Sequence, residues 1–510
     1  MTSTAFIWIG VLTVSAGAAP ESQRFARLSQ DIQRTRDLLR VPGLAAAVVE
    51  DGRIVWHRDL GLSDVEKRVP VTASTEFCIA SVTKTMAAIV LVQLAREGWL
   101  NLDDRISRYV ATPLIPWTVT LRQVLSHTSE ANPGEEYLYN GVRYAVLSRV
   151  IEVAGGVPFH ELLAARIFTP LEMAETIPGL GAPGYAEQQS RLARPYEMNL
   201  ETHQVRPGRE PTNGANAATG VVSTVRDLAR YASALDRGLL VAKLDAALIF
   251  SPTRSTTGRE LPYGLGWFVQ NYLGEQIVWH FGQEEGYASL FLRFPKRKLT
   301  LILLANSNSI SDAFRLLDGD AMRSLLALYF FRDVVAPRLK LSSSAQRQLN
   351  SDLEIGSALA DLYMGQTRSA TRRVRQAIAA GTIQSRANLS LMYLLVQLRD
   401  PSLKALTERV GKSIVAQHPT LPPALFYLGS FYQQTKRSDA AVRLFEKIAE
   451  IEPPAQHWSA SLALVELGKW YLVRDPERAR SYLQRVVDGG SNAEGAVDVA
   501  RGLLKQLPGR

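Results

Sequence analysis

The sequence predicts an α+β sheet domain followed by an all-α region, and three observations carry the prediction. Strand-like text stands at residues 43–56 and again at 266–304, helical text with loops fills the interval, and beyond about Lys340 strand signals vanish. Strands at both ends of a segment with helices between them imply one α+β sheet, and a run of amphipathic helices after it implies a second packing unit. A chain of 510 residues is also too long for a single compact core.

The first apolar segment, 6–18, is too short to span a bilayer comfortably and ends in the small residues Ala16-Gly17-Ala18. It reads as a cleavable signal peptide over residues 1–18, although no Lys or Arg precedes Phe6. Export to a bacterial periplasm or the extracellular space is the matching expectation; a buried N-terminus is the alternative. Residues 44–49 then form an apolar run, Asp51-Gly52 marks a two-residue hairpin turn, and 53–56 returns. After Phe77 the period becomes helical, with Ala87, Val90, Leu91 and Leu94 at three-and-four spacing and Gly98 as a stop. Ser81 therefore opens a buried helix. From 112 to 236 helices alternate with loops rich in Pro and Gly at 177–184 and 206–220, long enough to carry a site. Strand character resumes at 266–269, 277–280, 287–294 and 299–304, with Pro295-Lys296-Arg297-Lys298 as a turn.

In the helical remainder Leu425, Leu428, Gly429, Tyr432, Ala441, Phe445 and Pro453 resemble the tetratricopeptide repeat, whose small positions let two helices pack closely. A weaker copy follows at Leu467-Gly468 and Tyr471, and degenerate ones precede it near Tyr363 and Tyr393. The expected organisation is a signal peptide (1–18), a sheet-bearing domain (25–335) and a tetratricopeptide-like solenoid domain (341–510), with a non-repetitive helical bundle as the alternative to the last. Solenoid repeats present a concave surface to another chain, so a protein partner is expected there.

A hydrophobic share of 46% and a charged share of 21% exclude wholesale disorder and a multi-span membrane protein. The net charge of +9 is scattered, with no basic run longer than Lys296-Arg297-Lys298 and no nucleic-acid motif, so it reads as a solvated surface. Weak attraction to anionic envelope surfaces is the alternative. Cys78 is the only cysteine and lies in the apolar run Phe77-Cys78-Ile79-Ala80, as a small buried hydrophobe would. The seven histidines show no ligand spacing, and neither a Walker A sequence nor a G-x-S-x-G elbow occurs. No metal or organic cofactor is expected.

Ser81 and Lys84 stand three residues apart at a helix start, hence on one face and within mutual reach. Serine needs a neighbouring base, and lysine serves as one where burial lowers its pKa. Taken bare, an N-capping Ser and an exposed Lys is the better reading of the pair. The surrounding text reverses that.

Phe77-Cys78-Ile79-Ala80-Ser81-Val82-Thr83-Lys84 resembles the nucleophile helix of the class C β-lactamase family of penicillin-recognising serine hydrolases. Residues 41–49 with Asp51-Gly52 resemble that family's opening hairpin, and the resemblance extends over residues 41–306. Its second motif, Tyr-small-Asn, is met by Tyr139-Asn140-Gly141, with Asn140 one place early and Gly141 where the Asn is expected. Its third is met by His280-Phe281-Gly282, where His280 is similar to the choice of esterase and peptidase branches. The resemblance implies a β-lactamase-like antiparallel sheet flanked by helices. It implies Ser81 as nucleophile, Lys84 and Tyr139 as proton-transfer groups with Tyr139 as a phenolate, and an oxyanion site between the N–H groups of Ser81 and Gln283. Asn140, His280 and Gly282 are the expected substrate contacts, Gly282 by letting a substrate backbone come close. His127, in Leu125-Ser126-His127-Thr128-Ser129, reads as structural, and Glu130 and Thr219 replace expected glycines. The expected activity is cleavage of an ester or amide in a small-molecule or peptide substrate through an acyl-enzyme. The alternative is a catalytically idle ligand-binding protein whose repeats recruit a partner.

Overall fold

In the computed structural model, residues 23–507 are described except 131, 212–213, 380–388, 452–457 and 490–494; the expected signal peptide lies outside the described residues. Seven strands form an antiparallel sheet, in the order Val69–Pro70, Arg53–Asp64, Gly43–Glu50, Leu299–Ala305, Tyr287–Phe294, Glu275–Glu284 and Phe268–Tyr272. The first and last parts of the sheet-forming text meet in its centre, where Leu44 pairs with Ala305 and Val48 with Leu301. Asp51 and Gly52 turn the first hairpin with positive φ of 48° and 78°, the conformation that an Asp-Gly turn supplies.

The period-two alternation of side chains divides two cores. Ala46, Val48, Leu290, Leu292, Leu301 and Leu303 face one side, with Phe25, Leu28 and Ile32 of the helix Gln23–Leu38. Ala45, Ala47, Val49, Phe291, Ile302 and Leu304 face the other, packed against the helices Thr83–Arg96 and Val225–Asp236. Small alanines on the central strand let both helical layers approach the sheet closely. The helix Gln23–Leu38 was not anticipated from the Arg- and Gln-rich sequence, although its buried Phe25, Leu28 and Ile32 recur at helical spacing.

A helical C-terminal region follows, from Ser343–Tyr363 to Ala496–Leu504. Its helices touch through glycine. A methyl at Gly429 would stand 2.4 Å from the Phe445 ring, and one at Gly468 would stand 2.4 Å from Leu483. No helix among the described residues is long and apolar enough to cross a membrane.

Candidate active site

The site begins where the short strand Phe77–Cys78 pairs with Val222–Ser223. Ile79 N–H donates to Val221 O at 2.9 Å. The chain then turns through Ala80, a non-glycine residue at φ 45°. That left-handed conformation costs on the order of 1–2 kcal/mol, and the buried surroundings of Ala80 hold it. The tight turn Ala80–Val82 follows and leads directly into the helix Thr83–Arg96. Ser81, in the first turn, thus has an N–H without an acceptor in its own helix.

Lys84 lies one turn further on and is almost fully enclosed, 1% exposed. Its Nζ donates to Ser81 Oγ and to Ala218 O, both at 2.8 Å. Burial lowers its pKa to about 7, against the opposing attraction of Glu284. At neutral pH a large fraction of Lys84 is therefore an amine with a lone pair beside the Ser81 hydroxyl, which is what a general base requires.

The Tyr139 ring centroid stands 5.1 Å from Lys84 Nζ. Its hydroxyl is buried and stands near that of Ser81. Burial raises its pKa well above the ordinary tyrosine value, and the nearby Ser81 hydroxyl opposes that rise. The expectation of a phenolate base is corrected accordingly: Tyr139 rests as a phenol, suited to giving a proton and not to taking one.

Asn140 is not aimed at a substrate. Its Oδ1 accepts from Arg143 N at 2.9 Å, capping the helix Gly141–Ala145, and its Nδ2 donates to Glu130. Glu130, standing where a glycine was expected, forms a buried ion pair with Arg143 at 3.1 Å. A Cβ on Gly141, by contrast, would have only Lys84 Nζ within reach, at 3.9 Å, so the position that faces the site carries no side chain.

His280 is corrected as well. It is fully buried, with Nδ1 2.6 Å from Phe281 O and Nε2 2.8 Å from the Tyr263 hydroxyl. A carbonyl only accepts, so the proton sits on Nδ1 and Nε2 accepts from Tyr263. Burial and the charge of Lys84 drive its pKa well below 6.5, leaving a neutral ring with both nitrogens occupied and nothing to offer a substrate. Gly282 serves packing: a Cβ there would stand 2.2 Å from both Ile79 O and Ser289 Oγ. Its absence lets the strand Glu275–Glu284 seat against the Ser81 turn, with Ser289 Oγ donating to Ile79 O at 2.8 Å. Because Phe268–Tyr272 pairs only as far as Trp279, the strand's outer edge from His280 onward has no strand neighbour among the described residues. Gln283 is exposed and follows Gly282, whose Cβ position lies 3.1 Å from Ala80 Cβ in the turn that carries Ser81.

His127 is buried, its ring 4.3 Å from that of Tyr139, and its Nδ1 accepts from Asn140 N at 3.2 Å. The sequence did not single out Glu284, which accepts from Thr219 at 2.5 Å and from the Cys78 thiol at 3.3 Å. Nor did it single out Asp312, whose burial pushes its pKa up to about 7 beside Gln283. The length of loop 206–220 was the available signal for Ala218, while Thr219 was marked only as standing where a glycine was expected.

An antiparallel sheet with helices on both faces and, at its rim, a serine beside a buried lysine is the β-lactamase-like fold. The chain belongs to the Beta-lactamase family, which it matches over residues 28–321. It is similar to penicillin-binding protein 4* of Bacillus subtilis, 27% identical over 307 residues, 52% of this chain and 68% of that protein. It is also similar to protein flp of Staphylococcus aureus strain MW2, 25% identical over 329 residues, 56% of this chain and 65% of that protein. Among solved structures, the octameric penicillin-binding protein homologue from Pyrococcus abyssi aligns with a TM-score of 0.51 at 25% identity, covering 56% of this chain and 73% of that one. The chain thus spans about two thirds of the length of the curated relatives it matches.

Proposed function

We propose that this protein is an exported serine hydrolase of the class C β-lactamase-like type that cleaves an ester or amide through a covalent acyl-enzyme. One observation carries the reading: Lys84 Nζ lies 2.8 Å from Ser81 Oγ with its pKa lowered to about 7. In this mechanism Ser81 Oγ attacks the carbonyl carbon as its proton passes to Lys84. The oxyanion is held by the N–H groups of Ser81 and Gln283, whose fixed dipoles meet the developing charge without reorganisation. The leaving group departs with a proton relayed from Lys84 through Tyr139, and water then attacks the ester carbon to release the acid and restore Ser81. The empty position at Gly141 and the engaged Asn140 and His280 remove the side chains that would grip a β-lactam or peptide amide, which favours an ester. The name of penicillin-binding protein 4* keeps β-lactams among the probes worth trying.

The same three positions support a second reading, a ligand-binding protein that turns nothing over. Under either reading residues 25–335 are the ligand-bearing domain. Residues 341–510 are a tetratricopeptide-like domain that recruits a protein partner, a view supported by the glycine-mediated helix contacts at Gly429 and Gly468. Intact-protein mass spectrometry after exposure to a penicillin, and separately to p-nitrophenyl acetate, distinguishes the two. A mass gain that disappears in Ser81→Ala supports the hydrolase; a folded protein that gains no mass and turns over no ester supports the binding protein.

A further inference from the structure

The loop that carries Tyr139 is held from outside its own sheet. Leu138 is 1% exposed and packs against Leu421 and Ile451 of the helical C-terminal region. Two residues earlier, Glu136 accepts from Thr420 Oγ1 at 3.4 Å and pairs with Arg259 at 2.6 Å, while Arg259 donates to Gln417 O at 3.3 Å. On the sheet side the loop rests on aromatic rings, Tyr139 on His127 at 4.3 Å between centroids and Tyr137 on Tyr263 at 5.8 Å. A cavity of about 270 Å³ lies between this loop and the helices, lined by Tyr137 and Tyr139 and by Leu389 and Ile414. The void supplies no atoms on its side of the loop, so there the contacts of Leu138 with Leu421 and Ile451 complete its packing.

The opposite rim is tied to the same region. Arg315 has its guanidinium 4.4 Å from the Tyr393 ring centroid and 4.8 Å from that of Trp458. Its charge acts on Asp312, which accepts from the Gln283 side chain. Both segments that flank Ser81 are thus anchored on helices outside the sheet.

We propose that Leu421 and Ile451, acting through Leu138, are positioning residues that set the Tyr139 hydroxyl for proton delivery to the leaving group. The helical region is then a working wall of the hydrolase site, and a partner that shifts it changes catalysis. This rests on the hydrolase reading, in which Tyr139 protonates the leaving group. A misplaced Tyr139 slows departure of a poor leaving group far more than of a good one, because only the former needs the proton.

The test uses the full chain with p-nitrophenyl acetate, a good leaving group, and phenyl acetate, a poor one, on wild type, Leu421→Ala, Leu421→Met and Ser81→Ala. Hydrogen exchange of residues 135–139 is followed alongside. Leu421→Ala is expected to lower kcat for phenyl acetate about tenfold or more and for p-nitrophenyl acetate less than about twofold, with faster exchange in 135–139 and largely restored values in Leu421→Met. Equal slowing of both esters, or unchanged exchange in Leu421→Ala, overturns the inference while Ser81-dependent turnover in wild type leaves the hydrolase reading standing. Turnover that survives in Ser81→Ala, or its absence in wild type, overturns that reading and this inference with it.

Discussion

Replacing Lys84 by Met separates the stability of this protein from its chemistry. Folding carries Lys84 from water into a site where it is 1% exposed and its pKa falls from 10.5 to about 7. At about 1.4 kcal/mol per pH unit, that drop is a burden of about 5 kcal/mol on the protonated folded state, an upper figure. Lys84→Met keeps the volume and removes the burden. It also leaves Ala218 O, which accepts from Lys84 Nζ at 2.8 Å, without that donor, at a cost of about 1–3 kcal/mol. The variant is therefore expected to be more stable than wild type by about 2–4 kcal/mol at pH 6, while losing acylation of Ser81. The pH dependence has a definite sign. The folded pKa lies below the unfolded one, so between about pH 7 and pH 10.5 the unfolded chain binds the additional proton and wild-type stability rises with pH relative to the variant. Below pH 7 the gap is constant, and above it the gap closes by about 1.4 kcal/mol per unit. Urea unfolding followed by fluorescence of the buried Trp267 and Trp279 at a series of pH values measures the gap. A Lys84→Met protein less stable than wild type at pH 6, or a gap that stays the same from pH 6 to about pH 9, would refute the reasoning.

Three other substitutions test neighbouring features. Gly141→Asn adds a side chain whose Cβ would meet only Lys84 Nζ, at 3.9 Å, and is expected to speed acylation by a penicillin with a stability change within about 0.5 kcal/mol, read by mass spectrometry and thermal melting; an unchanged rate would mean that position does not face the substrate. Gly282→Ala drives a Cβ to 2.2 Å from Ile79 O, so a loss of about 3 kcal/mol or more and displacement of the Ser81 turn are expected; a melting curve like wild type would contradict the packing role. Arg143→Met leaves the buried Glu130 carboxylate without its cation, a loss of about 3–5 kcal/mol by denaturant unfolding that Glu130→Gln in the same chain is expected to relieve in part.

Much of the fold was legible because its signals are local. Asp51-Gly52 fixes a hairpin by the positive φ of both residues, and the Ser81–Lys84 spacing places both side chains on one turn of helix. The roles of Asn140, His280 and Gly282 were less legible because they depend on distant partners. Asn140 is occupied by Glu130 and Arg143, His280 by Tyr263 seventeen residues away, and Gly282 by the carbonyl of Ile79. A motif gives residue types in order and says nothing about which hydrogen bonds are already made. The same holds for Glu284, which reaches the site through Thr219 and Cys78, and for Leu421, whose contact with Leu138 joins parts of the chain that no periodicity links.

Activation of Ser81 by a buried, low-pKa Lys84 is the centre of the proposed chemistry. The most direct test is the rate of fluorophosphonate labelling, followed by intact mass from about pH 5 to about pH 9, in wild type and Ser81→Ala. The account predicts a single adduct that is absent from Ser81→Ala and forms faster as pH rises, with a midpoint near the Lys84 value of about 7. An adduct that persists in Ser81→Ala, or a labelling rate that does not change across that range, would contradict it.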